Sequence, residues 1–119
     1  MASGIWGYRP DAGHEETVDL TGFHVEAVDG RIGHVVEVGR QDMGAYLVVE
    51  TGPWFFGRRV VLPAGAVALI DASRETVFLD RTRRQVKDAP AADVVLGSGH
   101  GDFERLGRYY GTFYASGKT

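Results

Sequence analysis

FHVEAVDGRIGHVVEV, residues Phe23 to Val38, holds two alternating apolar segments around Asp29-Gly30. Alternation at period two is the mark of a strand with one buried face. Asp-Gly between two such segments is a strong hairpin signal, because a type I′ turn needs φ > 0 at both central residues. That turn sets Val28 opposite Arg31, Ala27 opposite Ile32, Glu26 opposite Gly33 and Val25 opposite His34. Phe23, Val25, Ala27 and Ile32 then share the core face. Strict alternation would also bury His34, whereas a bulge at Gly33 turns His34 out and Val35 in. The bulge is the favoured reading.

Working outward, Ala45 to Thr51 reads as a third strand with Leu47 and Val49 on one face, and Arg58 to Leu62 as a fourth. Val67 to Asp71 and Thr76 to Leu79 form a second hairpin around Ala72 to Glu75. About six short strands bury their apolar side most economically by curling into a small barrel. Seventeen glycines spread along 119 residues fit the turns and bends of such a β-protein. Thr82-Arg-Arg-Gln85 has the capping-box form, so a helical turn is expected there, ending by Ala89 before Pro90. Residues 91–101 read as a loop. Asp102 to Tyr110 reads as a short helix capped by Asp102 and stopped at Gly111, with Phe103, Leu106 and Tyr110 on one docking stripe. Residues 1–16 read as an extended arm whose Ile5, Trp6 and Tyr8 pack onto the body or onto a second copy.

The length suits one domain, and 44% hydrophobic with 24% charged residues is ordinary globular composition. The net charge of -3 offers no global basic field for nucleic acid or anionic lipid. With no cysteine, disulfides, thiolate nucleophiles and Cys-based zinc sites are excluded, and a reducing cytoplasm is the expected location. The start lacks a basic n-region and an apolar h-region, so it does not read as a signal peptide. No apolar run approaches the ~20 residues of a spanning helix, so a soluble protein without membrane insertion is expected.

Motifs for chemistry are weak. His14-Glu15-Glu16-Thr17 begins like a zinc-protease helix, but Val18 stands where the second histidine is needed. Gly97-Ser-Gly99 imitates a dinucleotide loop, but Asp102 replaces the third glycine and would repel a pyrophosphate. No serine sits in a nucleophile elbow, and the carboxylates fall in turns and arms where solvated charge is the simpler reading. No catalytic residue, metal site or cofactor is therefore assigned, and an enzyme is not expected. Arg81, Arg83, Arg84 and Lys87 form the one basic concentration, diluted by Asp80 and Asp88. It could serve an acidic protein or an RNA backbone, but an exposed helical turn is the simpler reading. Trp54-Phe55-Phe56, fenced by Pro53 and Gly57 and followed by Arg58-Arg59, cannot all face one core, because strand side chains alternate. At least one aromatic must look outward. It is either an interface centre, where Trp, Tyr and Arg are enriched, or it is covered by the arm or by Tyr109-Tyr110.

Taken in order, these segments resemble the PRC-barrel family. The resemblance rests on G-x-x-V-x-x-x-D-G-x-I-G-x-V over Gly22 to Val35, the hydrophobic third strand and V-x-L-P over Val60 to Pro63. The closing hairpin and Val86-Lys-Asp-Ala-Pro90 complete it. It covers about Asp19 to Pro90, and Tyr109-Tyr110-Gly111 is similar to tails of stand-alone members. The chain is most similar to small single-domain actinobacterial members. The resemblance implies a compact β-barrel used for assembly, as in the reaction-centre H subunit and a ribosome-maturation factor, with no catalytic residues in the family pattern. The sequence shows neither the membrane helix of the one nor the N-terminal domain of the other, so neither role is carried over.

The expectation is thus an all-β, PRC-type barrel of about six strands, with an arm over residues 1–18, a barrel over 19–90 and a loop, short helix and tail over 91–119. Its expected role is a non-enzymatic protein-interaction adaptor. The expected partners are a second copy, as a homodimer, and a further unidentified protein. The candidate interface residues are Trp6, Trp54, Phe55, Phe56, Arg58, Arg59, Tyr109 and Tyr110. RNA or ribosome binding through the basic residues is the alternative, and a small-molecule barrel ranks last.

Overall fold

The computed structural model describes residues 4–15, 18–41, 44–90 and 100–115. Six strands form one mixed sheet: β1 (His24–Ala27), β2 (Gly30–Gln41), β3 (Gly44–Thr51), β4 (Arg59–Pro63), β5 (Val67–Asp71) and β6 (Thr76–Leu79). Their order is β4-β3-β2-β1-β6-β5. All neighbours run antiparallel except β1 and β6, which are parallel. Among the described residues two helices follow, α1 (Arg83–Lys87) and α2 (His100–Ala115).

The β1–β2 hairpin forms, with a correction to its turn. Ala27 pairs with Gly30, so the loop is Val28-Asp29 and not Asp29-Gly30. Neither loop residue has a positive φ, so the type I′ turn is absent. A β-branched valine resists the left-handed region, and this turn is held instead by the segment entering α1. The Val28 N–H donates to the Arg81 carbonyl (3.0 Å), and the Arg83 N–H donates to the Asp29 carboxylate (2.9 Å). A bulge does occur, but one residue before the expected Gly33, with Ile32 as the extra residue between Arg31 and Gly33. His34 is accordingly exposed and Val35 buried. Gly33 is required there, because a Cβ would sit 1.9 Å from the Glu50 carbonyl oxygen. A second irregularity, at Val36, bends β2 again.

The sheet curls but does not close. β4 and β5 are its two edges, joined by a 3-10 turn over Ala64–Ala66. The N-terminal arm lies on this seam, and its own 3-10 turn (Gly4–Trp6) replaces the expected extended conformation. A Cβ on Gly65 would meet the Ile5 carbonyl oxygen at 2.6 Å, so backbone packs on backbone. The Ala12 carbonyl takes the Ile70 N–H (2.7 Å), which occupies one bonding position on the β5 edge.

Valines and leucines of all six strands fill the interior. β3 is buried on both faces and not only through Leu47 and Val49, since Tyr46 and Val48 are buried too. The outer cover includes α2, whose Phe103 ring lies 5.2 Å from that of Tyr46. Phe103, Leu106 and Tyr110 form the expected buried stripe, but the helix starts at His100 and runs through Gly111 to Ala115. Asp102 is therefore inside the helix, and Gly111 does not stop it. The capping box is complete: the Gln85 N–H donates to Thr82 Oγ1, and the Thr82 N–H donates to Gln85 Oε1.

Candidate functional site: an aromatic and cationic tip

Between β3 and β4 the chain makes a tight excursion from Gly52 to Arg58. Pro53 starts a 3-10 turn that ends at Phe55. The N–H groups of Phe55 and Gly57 both donate to the Gly52 carbonyl, that of Phe56 to Pro53, and that of Arg58 to Phe55, all at 3.1–3.2 Å. At its base the Arg58 carbonyl accepts from both the N–H and the hydroxyl of Thr51, and Gly52 donates to Ile32. Phe56 (φ +57°) and Gly57 (φ +68°) are both left-handed. Glycine adopts this region freely; phenylalanine does not, at a cost of about 1–2 kcal/mol.

The three aromatics part company here. Phe55 turns inward and packs against the core, with the Arg58 guanidinium and the Lys87 ammonium each 5.7 Å from its ring centre. Phe56 turns outward and is 81% exposed. Trp54 sits in the middle of the turn, and its side chain lies outside the described residues. Arg59 is exposed, paired across the ladder with Glu50, whose carboxylate is 3.9 Å from His34 Nε2.

The other aromatic candidates lie elsewhere. Trp6 packs on Phe103, ring centres 5.9 Å apart, with its indole against Gly107. Tyr110 is fully buried, and burial pushes its phenol far up from the ordinary value. Its hydroxyl has no partner among the described residues. Tyr109 is half-buried and donates to the Gln85 carbonyl (2.5 Å); burial and the nearby Asp88 raise its phenol. These three complete the chain's own packing.

The basic run is likewise divided. Arg81 folds inward, its guanidinium 4.8 Å from the Phe113 ring and 4.9 Å from Tyr114. Arg83 is half-buried beside Gly30. Arg84 is exposed and 3.8 Å from Asp88. Lys87 reaches the tip, over the Phe55 ring. A shallow cleft of about 410 Å³ lies among Asp29, Arg83, Arg84, Lys87 and Asp88, and another of about 430 Å³ among Tyr8, His14, Leu20, Val38 and Arg40.

Asp80, read from sequence as solvated charge, is a hub. It accepts from Arg9 Nη2 (2.5 Å) and from the Tyr114 hydroxyl (2.6 Å), while Arg9 Nε also holds the Gly65 carbonyl. Partial burial pushes its pKa up, but the bonds from Tyr114 and Arg9 outweigh this and hold it below the ordinary carboxylate range. Arm, seam and α2 thus meet at one carboxylate. Arg9 lies 71 residues away in sequence, and no local spacing signals the contact. Among the described residues no His/Cys/Asp/Glu group could hold a metal ion, and no helix is long and apolar enough to cross a membrane.

No protein-family model matches the chain, and no curated protein matches it. Among solved structures it is similar to RimM of Pseudomonas aeruginosa, described as a 16S ribosomal RNA processing protein. The identity is 19% and the TM-score 0.47, over 56% of this chain and 45% of that one. The chain therefore spans less than half of that structure's length.

Proposed function

We propose that this protein is a non-enzymatic binding module that engages a protein partner through the Pro53–Arg59 tip. The observation that carries this reading is Phe56, held 81% exposed in a left-handed conformation by a network of backbone hydrogen bonds. Burying a phenyl ring stabilises by about 1.5–3 kcal/mol, and this fold forgoes that gain. A preformed loop with an aromatic anchor beside cations has the composition of an interface centre. The proposal takes residues 19–90 as a PRC-type barrel carrying the tip, and a cytoplasmic setting. A homodimer through the same tip is less favoured, because a two-fold contact would set Arg58, Arg59 and Lys87 near their own copies.

The test replaces Phe56 with a photo-crosslinking phenylalanine analogue in the native host. The expected result is one discrete protein adduct, absent when the same group is placed at exposed Val28. The same adducts from both positions, or none from Phe56, would remove the reading.

A further inference from the structure

The cations around the tip differ in what already neutralises them. Arg84 has Asp88 at 3.8 Å, whereas Arg59 lies opposite Glu50 in the ladder without an ion pair among the described residues. Arg58 and Lys87 have no carboxylate partner among the described residues. They come from separate parts of the chain, the end of the β3–β4 turn and the end of α1, yet both lie 5.7 Å from the ring centre of Phe55. Two like charges drawn to one ring repel each other, and the ring's quadrupole compensates only part of a cation's demand. Each therefore leaves its charge open to a carboxylate supplied from outside, on the same short stretch of surface that exposes the phenyl of Phe56.

We propose that the segment bound at this tip is acidic, with an apolar side chain packing on Phe56 and carboxylates paired to Arg58 and Lys87. This rests on the proposed function and names the chemistry of its partner. A protein segment fits better than a bilayer, because a fluid surface gains nothing from a side chain held in one strained direction. It fits better than RNA, because the cationic track a phosphate backbone needs is broken: Arg81 is folded away and Arg84 is paired.

The experiment selects peptides from a random display library on the intact protein, with counter-selection on Phe56→Ser, whose fold is checked by circular dichroism. The expected peptides carry Asp or Glu on both sides of an apolar residue. A synthetic copy should bind about tenfold or more weakly to Phe56→Ser. It should bind several-fold more weakly to Arg58→Gln and to Lys87→Gln, and lose affinity as salt rises from about 50 mM toward about 500 mM. Phe56-dependent peptides without acidic residues, or with no response to Arg58→Gln and Lys87→Gln, would overturn this inference and leave the proposed function standing. Failure to recover any Phe56-dependent peptide would count against both. Phe56-dependent binding to poly-uridine RNA, or to phosphatidylcholine vesicles with about 30% phosphatidylserine, would overturn the assignment in favour of that partner. So would a concentration-dependent dimer dissolved by Phe56→Ser.

Discussion

The terminal seam and the β3–β4 tip use the same residue types to opposite ends. At the seam, Arg9 and Arg81 lie against aromatic rings of α2, and Asp80 completes the group by accepting from Arg9 and Tyr114. Cation, ring and carboxylate are all present, and the assembly holds the open side of the sheet together. At the tip, Arg58 and Lys87 lie against Phe55, but among the described residues no carboxylate pairs with either, and the next ring, Phe56, points outward. An arginine–aromatic cluster therefore does not by itself mark an interface. What separates the two is whether the chain supplies the third member.

Four changes can break or sharpen that contrast. The largest effect is expected for Leu106→Ala, because Leu106 is fully buried on α2. It should cost about 2–5 kcal/mol in urea unfolding, and a loss under about 1 kcal/mol would mean that α2 is not part of the core. Asp80→Asn comes next, at roughly 1–2 kcal/mol, since its pairs are partly exposed. Hydrogen exchange should rise in the arm and in α2 together. Faster exchange in only one would contradict a shared hub.

The same carboxylate sets a pH dependence. Its pKa is lowered in the folded state, so its contribution is complete above the ordinary carboxylate value near about 4. It is lost as pH falls through the folded value. The stability gap between wild type and Asp80→Asn should be constant at neutral pH and shrink below about pH 4. A gap that widens on acidification would contradict the assignment.

At the tip the expected sign reverses. Phe56→Gly removes the left-handed penalty from an exposed side chain, so stability should stay level or rise by up to about 1 kcal/mol. Glycine's greater unfolded-state entropy opposes part of that gain. A loss of 2 kcal/mol or more would mean that the ring is packed. Smallest of all, Tyr110→Phe deletes a buried hydroxyl that has no partner among the described residues. It should change stability by less than about 1 kcal/mol in either direction, and a larger loss would reveal a bond at that oxygen.

The fold was legible where local chemistry decided it. Val67–Asp71, Thr76–Leu79 and the Thr82–Gln85 capping box depend on short-range pattern alone. The exposure of His34 followed from the glycine that invites a bulge. What escaped depended on distant partners. The Val28-Asp29 turn is shaped by hydrogen bonds to Arg81 and Arg83. The two-sided burial of β3 arises from a helix more than fifty positions later, and the seam at Asp80 joins residues at both ends. The strand alternation expected for Trp54, Phe55 and Phe56 does not apply, because Pro53–Phe55 is a 3-10 turn, and the hydrogen bonds of that turn decide that Phe56 faces outward.

The most direct test of the contrast is a backbone amide NMR titration of the intact protein with the selected acidic peptide. The expected shifts are confined to Gly52–Arg59 and Arg84–Asp88, with Trp6, Tyr109 and Tyr110 unmoved. Shifts centred on the arm and α2, with Phe56 silent, would contradict it.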